Sequence, residues 1–324
     1  HRDLHLSLRR QRQMCIRDRP WTMPGNRAVA YGNDISYQVV EVVDPNEGSL
    51  CEKGDVLVIA GDLAGDVIEA IGGGETALRT SLMGYEIAGT VTAHPMAGHG
   101  YDYDVPLLAG NHVTIEQGTG FVHIAPGHGV EDFELAHLEH GIAVPDTVSE
   151  NGQIMEHLPI FGGMHVLRDN AKIADLMAVH KGVIGIGRLV HSYPHSWRSK
   201  APVIYRNTAQ WFVSMEAHGL RDTALNELAK TTFYPVAGQK RLTSMIDQRP
   251  DWCLSRQRAW GVPLTIFVNK ETGEPLRDSA VHARVVDAIK VEGADCWFAS
   301  HSSRFLGPDY DPVSYTHLTL PTKA

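Results

Sequence analysis

The sequence is poor in cysteine, and the cysteines it has are far apart. Four of its 324 residues are cysteines, and no two of them form a Cys-x-x-Cys pair. A zinc knuckle or a small disulfide framework needs cysteines at close, regular spacings. Neither is predicted, and no bound metal is expected. Sparse cysteines are typical of a protein from a reducing compartment, so we expect a cytoplasmic location.

Long apolar runs are also missing. No stretch approaches the roughly 18 to 20 apolar residues that span a bilayer. The first residues lack the apolar core of a secretory signal peptide. The sequence therefore predicts a soluble protein with no membrane partner. A hydrophobic share of 43% is ample for folded cores, and the length is compatible with two domains.

The chain has no excess of positive charge. Lys and Arg total 29 against 38 for Asp and Glu, which gives a formal net charge of -9. This balance argues against DNA as a partner and against indiscriminate binding of nucleic acid through bulk charge. Any RNA contact therefore needs a local basic patch. The alternative interpretation of a basic cluster is an ordinary solvated surface. The basic residues do cluster late in the chain, in two groups: Arg188, Arg198, Lys200 and Arg206, then Lys240, Arg241, Arg249, Arg256 and Arg258.

Both ends of the sequence differ from the rest. Residues 1–19 are rich in arginine and show no amphipathic period or turn signal that leads into the next segment. The end of this stretch and residues 313–324 (VSYTHLTLPTKA) look like translated sequencing-adapter ends. We therefore expect both segments to be non-native and exclude them from the prediction of fold.

The first half of the remaining chain, residues 20–197, is predicted to be a β-rich domain. Short apolar runs punctuated by Gly and Pro predict strands at residues 37–43, 56–60, 85–93, 121–124 and 183–190. Two helices are predicted among them, at residues 131–140 and 170–180, each ended by a glycine. This succession of short strands favours a barrel-like β domain with flanking helices.

The pattern changes after about residue 200. Residues 198–312 alternate strand candidates with helix candidates, which is typical of an α/β domain. The strands are predicted at 203–205, 210–213 and 264–268, and the helices at 220–230, 239–248 and 279–290. The overall fold class is therefore a mixed one, α+β in the first domain and α/β in the second.

The densest group of polar residues lies at residues 118–133, GTGFVHIAPGHGVEDF. This segment predicts a strand, a glycine-rich turn and a helix. On an extended strand, His123 lies on the face opposite its two apolar neighbours. Gly127 and Gly129 let the backbone pass close to a ligand. His123 is therefore expected to border a pocket at the end of the strand.

Asp132 is predicted in the first turn of the following helix, where free amide groups favour an ionised carboxylate. Such a carboxylate is suited to binding an ammonium group. An Asp at this position is also a common helix cap, and a single strand histidine is often structural. A third interpretation takes His123, His128 and Asp132 as metal ligands, although their spacing matches no standard metal motif.

The segment GTGFVHIAPGHGVEDFELA resembles the editing site of isoleucyl-tRNA synthetases and, less closely, of their valyl and leucyl relatives. Three further motifs occur in the family's order. PWTMPGNRA resembles the end of the family's threonine-rich editing segment, and HSYPHSWRSKAP its passage back to the catalytic domain. DWCLSRQRAWGVP is similar to a catalytic-domain segment of the isoleucyl enzyme. The resemblance covers about residues 20–312.

The resemblance implies a fold and a set of site residues. The fold would be the family's β-barrel-like editing domain, followed by part of a Rossmann-like catalytic domain. Asp132 would hold the α-ammonium group of a wrongly attached amino acid, and His123 would contact the substrate or the attacking water. The residues that would line the rest of the substrate site are Trp21, Thr22, Asn26, Gly127 and His128.

The resemblance also implies a reaction and a partner. The parent enzyme would attach isoleucine to its tRNA with ATP and Mg, as an isoleucine-tRNA ligase. The present part would hydrolyse the ester that links valine to mischarged tRNA for isoleucine. It would use a positioned water and no cofactor of its own. We expect a monomer.

Three departures from the family pattern bear on these expectations. Arg17, Asp18 and Arg19 stand where the family has three threonines. Motifs resembling HIGH and KMSKS, which bind ATP, are absent, so the chain is not expected to activate isoleucine. Ser196 and Ser199 stand where some relatives have thiols, and a hydroxyl is a poor zinc ligand.

Three alternative functions remain open at this point. The lost threonines and the basic clusters favour a tRNA-binding fragment without hydrolytic activity. A valyl-tRNA synthetase editing domain would share most of the motifs. A metal-dependent hydrolase is the third alternative, and it predicts bound metal.

Overall fold

The computed structural model describes residues 19–116, 118–187, 193–208, 210–255 and 263–317. The chain divides into two compact units, His1–Asn207 and Thr208–Ala324. This division falls later than the domain boundary predicted after residue 197. Of the segments predicted to be non-native, 1–19 and 313–324, residues 1–18 and 318–324 lie outside the described residues. So do residues 188–190 of one predicted strand, Arg188, Arg256, Arg258 and most of the DWCLSRQRAWGVP segment.

The described strands and helices are numbered here in chain order. The strands are β1 Ala28–Tyr31, β2 Ser36–Asp44, β3 Val56–Ala60, β4 Glu75–Met83, β5 Val91–Ala93, β6 Asp104–Ala109, β7 Phe121–Ile124, β8 Phe212–Val213, β9 Trp252–Cys253, β10 Phe267–Asn269 and β11 Tyr315–His317. The α-helices are α1 Ala64–Ala70, α2 Val130–Phe133, α3 Asn170–Val179, α4 Leu220–Lys230, α5 Ala237–Asp247, α6 Ser279–Glu292, α7 Cys296–Ala299 and α8 Ser303–Leu306. A 3₁₀ helix, Pro20–Gly25, leads into β1.

Two sheets build the first unit. A four-stranded sheet has the order β5-β6-β1-β7, with β1 parallel to β6 and antiparallel to β7. All four residues of β1 are buried, as expected for a central strand covered on both faces. A three-stranded antiparallel sheet has the order β3-β2-β4, and β2 alternates buried and more exposed positions on either side of a register shift between Val39 and Val40. That alternation sets its register because one face must point into the core.

One of the apolar clusters of the first unit joins these two sheets. It contains Val29 and Tyr31 of β1 together with Tyr37 of β2, Ile59 of β3 and Leu107 of β6. Burial of its apolar area stabilises the packing of the two sheets.

The expectation of a barrel is wrong for the described strands. The described strands of the first unit form two open sheets, whose edge strands are β5, β7, β3 and β4, and no closed barrel. The sequence pattern reports where strands occur, whereas closure depends on pairing between edge strands that are remote in sequence.

Several predicted elements are confirmed and others are shifted. β3, β7 and α4 match their predicted bounds, and β2, α3, α5 and α6 differ by a few residues. The predicted strand 85–93 begins as a 3₁₀ turn, Gly84–Ile87, and only Val91–Ala93 is extended. The predicted helix 131–140 is one α turn followed by a π-helical segment, Glu134–Glu139. Residues 183–187 and 203–205 form no strand.

The second unit has two short antiparallel strand pairs, β8 with β9 and β10 with β11. Arg221 at the start of α4 donates to the carbonyls of Ile246 and Asp247 at the end of α5, at 2.6 and 2.8 Å. A cation at that position also interacts favourably with the helix dipole. The Rossmann-like sheet is not among the strands of residues 210–255 and 263–317, and it stays a prediction.

The helices are short throughout the described residues. None of those helices is long and apolar enough to cross a membrane.

Candidate functional site

The pairing of β1 with β7 assembles the candidate site. In this antiparallel pair Val29 lies opposite His123 and Ala28 opposite Ile124. The backbone N–H of Arg27 donates to the carbonyl of Ile124 at 2.9 Å and extends the ladder by one residue. The 3₁₀ helix Pro20–Gly25, which precedes β1, is therefore held beside the carboxyl end of β7 and the glycine turn that follows it.

Thr22 and His123 meet at this place. Thr22 Oγ1 lies 3.3 Å from His123 Nε2, and both side chains are buried. The same hydroxyl donates to the carbonyl of Arg19 at 2.9 Å. Because its single proton is used there, the hydroxyl acts as acceptor toward the imidazole. The hydrogen-bond geometry thus assigns the proton of His123 to Nε2.

Asp132 closes the glycine turn after β7. Its Oδ2 accepts the backbone N–H of Ala125 at 2.8 Å. A Cβ on Gly129 would lie 3.0 Å from the Asp132 carboxyl carbon, so a glycine there leaves room for the carboxylate to fold back. Gly129 is the N-cap residue of α2, so no side chain caps this helix at that position. Asp132 is therefore a partly exposed carboxylate oriented by the end of the strand that carries His123.

His128 is bonded through both ring nitrogens. Its Nδ1 lies 3.0 Å from the carbonyl of Tyr205, and its Nε2 lies 2.6 Å from Thr147 Oγ1. A carbonyl only accepts, so Nδ1 carries the proton and Nε2 accepts from the threonine hydroxyl. A metal ion would have to displace one of these partners. Among the described residues, no three His, Cys, Asp or Glu side chains are grouped so that they could hold a metal ion.

The other predicted substrate residues lie nearby, but mostly in the protein interior. Trp21 is 1% exposed, and its indole packs edge-on against the His128 ring, with centroids 5.0 Å apart. It belongs to an apolar cluster with Met96 and Phe161, so its visible role is packing. Asn26 is fully buried.

Gly127 is half-buried at the turn itself. A Cβ there would lie 3.3 Å from the carbonyl oxygen of Pro145 and 3.7 Å from Asn207 Cβ. The side chain of Asn207 donates to Asp146 Oδ1 at 2.8 Å, which ties the neighbouring loops together. The segment 205–207 therefore packs against the glycine turn, a relationship that no motif in the sequence indicated.

His94 is a residue of the site region that no sequence motif indicated. It follows β5 and is buried, with Nε2 donating to the carbonyl of Met23 at 3.0 Å. Its Nδ1 accepts the backbone N–H of Met96 at 3.0 Å. Met23 adjoins Thr22, so the imidazole fixes the backbone that presents Thr22 to His123. A lone His-Pro pair after a short strand gives no signal of this role in a single sequence.

Aromatic and cationic groups surround His94. The Tyr101 ring stacks on the imidazole with centroids 4.8 Å apart, and the Tyr103 ring lies 5.2 Å away. Arg27 lies over the Tyr103 ring, bonds its hydroxyl, and donates to the carbonyl of Asn26 at 2.7 Å. Burial lowers the pKa of His94 to about 4, against a smaller opposing effect of the Met23 hydrogen bond. The ring is therefore neutral near pH 7.

Comparison with known proteins assigns the family. The family model described as "tRNA synthetases class I (I, L, M and V)" matches residues 20–316. The chain belongs to the class I tRNA synthetases. The match includes the Thr22 segment, β7 and the glycine turn, so all the site residues described above lie inside it.

Several similar synthetases are isoleucine–tRNA ligases. That of Gluconobacter oxydans is 46% identical over 91% of this chain, and that of Pelagibacter ubique is 44% identical over 93%. The chain spans about a third of the length of these relatives, 32% and 33%. A solved structure, "The crystal structure of GlLeuRS-CP1", aligns with 14% identity and a TM-score of 0.40, covering 55% of this chain and 83% of that one.

Proposed function

We propose that this chain is the part of an isoleucine-tRNA ligase that removes wrongly attached valine from the tRNA for isoleucine. The observation that carries the proposal is the contact between Thr22 and His123, beside a turn closed by Asp132. Two segments that resemble the family's editing motifs, residues 20–28 and 118–136, thus come together in one small region. The similarity to isoleucine–tRNA ligases over about 90% of the chain supports isoleucine as the amino acid that the parent enzyme attaches.

The proposed reaction is the hydrolysis of an ester. Water attacks the carbonyl carbon of the valyl ester, and the bond from that carbon to the ribose oxygen of the terminal adenosine breaks. The proton lost by the water is balanced by the one gained by the ribose oxygen, which leaves free valine and free tRNA. No oxidant, reductant or second substrate is needed.

The site residues would divide the work in this reaction. Asp132 would bind the α-ammonium group through the charge of its carboxylate, whose orientation the Ala125 N–H fixes. His123 would contact the substrate ester or the water from the end of β7. Trp21, Thr22, Asn26 and His128 would shape the site by holding its walls, and Gly127 would let the ligand approach the backbone. Positioning and charge together are the sources of rate in such a mechanism.

A second site is needed because isoleucine and valine differ by one methylene. Such a difference supplies only about 1 to 3 kcal/mol of discrimination, a limit for which isoleucine against valine is itself the standard example. An editing site that admits valine and excludes the larger isoleucine multiplies the selectivity of the first site.

Deacylation of two charged tRNAs tests the proposal. The purified chain should hydrolyse valyl-tRNA for isoleucine much faster than correctly charged isoleucyl-tRNA. Release of isoleucine at the same rate, or release of threonine from valine tRNA as the preferred reaction, would contradict it. The second result would favour a valyl synthetase. Loss of activity with a chelator and its return with metal would favour a metal-dependent hydrolase instead.

Aminoacylation would require more than this chain. In the proposal, ATP and Mg act in the longer parent enzyme, because motifs resembling HIGH and KMSKS do not occur in this sequence. No cofactor is proposed for the editing reaction, which would occur in the cytoplasm on a monomeric protein.

A tRNA-binding role without hydrolysis is the second candidate. One observation favours it: Arg17, Asp18 and Arg19 occupy the positions of the family's threonines. It predicts salt-sensitive binding of tRNA and no release of amino acid.

A further inference from the structure

Residues 176–215 contain no aspartate or glutamate. Asp175 precedes this stretch and Glu216 follows it, and between them lie Lys181, Arg188, Arg198, Lys200 and Arg206. The whole chain has a formal net charge of -9, so this segment is a local reversal of sign. A polyanion is the class of partner that such a reversal attracts.

The centre of this stretch is a small hairpin. His195 and Pro202 form an antiparallel bridge, and Val203 N–H donates to the carbonyl of Pro194 at 3.1 Å. Ser196 N–H donates to the carbonyl of Ala201 at 2.9 Å, which closes the loop at residues 196–200. The backbone of the tip is therefore fixed by hydrogen bonds, and its side chains project from a defined turn.

The tip carries an exposed tryptophan with a guanidinium group over its ring. Trp197 is 75% exposed, and the Arg198 guanidinium carbon lies 4.5 Å from the ring centroid. Lys200 is also exposed. In the part of the chain that the structure describes, the side chains of Arg198 and Lys200 make no hydrogen bond or ion pair. An exposed tryptophan of this size calls for an explanation, because large apolar side chains are normally covered.

We propose that the hairpin tip of residues 196–200 is a binding surface for single-stranded RNA. An unpaired base would stack on the Trp197 ring, and Arg198 and Lys200 would contact the flanking phosphates. Cations flanking an aromatic ring are the usual means of holding an unpaired strand, because every base presents a π-face. The Arg198 guanidinium already lies over the Trp197 ring, which limits the side-chain entropy lost on binding.

Neither duplex RNA nor an apolar protein surface matches this tip as well as single-stranded RNA does. A duplex hides its base faces, so Trp197 could stack only at an open end. A protein surface that covered Trp197 would bury two cations, and burying a charge without an anionic partner is costly.

This inference shares the RNA partner of the proposed function but not its chemistry. The site for hydrolysis contains Thr22, His123 and Asp132, whereas the tip is defined by its own hydrogen bonds. Binding of uncharged single-stranded RNA can be measured whether or not any ester is hydrolysed. A chain that binds RNA but does not edit would refute the proposed function alone.

The test is a titration of the full chain with a short, labelled single-stranded RNA of mixed sequence, repeated over a range of salt concentrations. The variants are Trp197→Ala, Trp197→Phe, and Arg198→Gln combined with Lys200→Gln. Matched controls outside the acid-free stretch are Tyr85→Ala, and Arg168→Gln combined with Lys53→Gln, all at exposed positions. A blunt RNA duplex serves as the competing ligand.

Trp197→Ala should weaken binding about tenfold, and Trp197→Phe should restore most of that loss because it keeps a stacking ring. The paired cation variant should reduce the slope of log affinity against log salt by about 1.4, since each phosphate contact on a single strand contributes about 0.7. RNA should also quench part of the tryptophan fluorescence of the parent chain, and Trp197→Phe should lack this part of the quenching. Equal affinity for all variants and controls, or preference for the duplex, would overturn the proposal.

Discussion

Thr22 Oγ1 lies 3.3 Å from Nε2 of His123, although 101 residues separate them in the chain. The antiparallel register of β1 and β7, with Val29 opposite His123, brings them together. One hydrogen bond therefore connects two motifs that are far apart in the sequence. The hydroxyl also donates to the carbonyl of Arg19, so it fixes both the turn and the imidazole.

Replacement of Thr22 by valine tests that connection. Thr22→Val keeps the shape of the side chain but removes the hydroxyl that contacts His123 and Arg19. We expect a loss of about 1 to 3 kcal/mol in the free energy of unfolding, and deacylation at least about tenfold slower. Thr22→Ser should retain most of both because it keeps the hydroxyl. Urea denaturation and a deacylation assay measure the two effects, and equal behaviour of Val and Ser would contradict the assigned role.

Two glycines at the start of the β7 motif provide a second, matched prediction. Gly118 and Gly120 both have positive φ, 94° and 80°. A Cβ on Gly118 would meet nothing within 4 Å, whereas one on Gly120 would lie 2.4 Å from Ala60 Cβ. Gly118→Ala should therefore cost about 1 kcal/mol from backbone strain alone. Gly120→Ala should cost about 3 kcal/mol or more, because it adds a clash between the two sheets.

Thermal or urea unfolding of these two variants distinguishes the contributions. A similar cost for both would mean that the β3 strand end does not pack against Gly120 as the structure has it.

His94 should make stability depend on pH. Burial lowers the pKa of its imidazole from 6.5 to about 4 in the folded chain. The unfolded chain thus takes up a proton at higher pH than the folded one, and the contribution of His94 to stability is complete above pH 6.5. It is lost progressively as the pH falls toward 4. Between pH 7 and pH 5 the loss from this group should be about 2 kcal/mol.

Urea denaturation at the two pH values measures this effect. His94→Gln should be less stable at pH 7, because the hydrogen bonds to Met23 and Met96 change, but its stability should decline less with acid. The charged and titratable groups that face the ring, Arg27, Tyr101 and Tyr103, are unchanged in this variant. Replacement of the exposed His157 by Gln is the control. An unchanged pH slope in His94→Gln would refute the assigned burial effect.

The sequence predicted individual strands and helices well where the pattern is local. β3, β7 and α4 have the predicted bounds because alternation, turn residues and helix periodicity are properties of neighbouring residues. The prediction of a barrel was wrong because closure of a sheet requires its edge strands to pair. Whether edge strands such as β5 and β7 pair depends on contacts between residues remote in sequence. The π-helical segment after Asp132 also has no sequence signature that separates it from an α-helix.

For the site, the motif pattern identified residues but not their contacts. Thr22, His123 and Asp132 were predicted, and the structure brings them to one region. The bonds of His128 to Thr147 and Tyr205, and of His94 to Met23, were not predicted. They join segments whose side chains are ordinary in isolation, so only the folded arrangement reveals them.

The central claim is that the charge of Asp132 binds the substrate ammonium group, separately from its hydrogen bond to Ala125. Asp132→Asn retains a carbonyl oxygen that can accept that N–H but has no charge, and Asp132→Ala has neither.

The deciding measurement is the rate of valine release from mischarged tRNA for isoleucine by the parent chain and both variants, with urea denaturation alongside. We predict that both variants lose activity by about a hundredfold, while only Asp132→Ala also loses about 1 to 3 kcal/mol of stability. Valine release by Asp132→Asn at the rate of the parent chain would contradict the account.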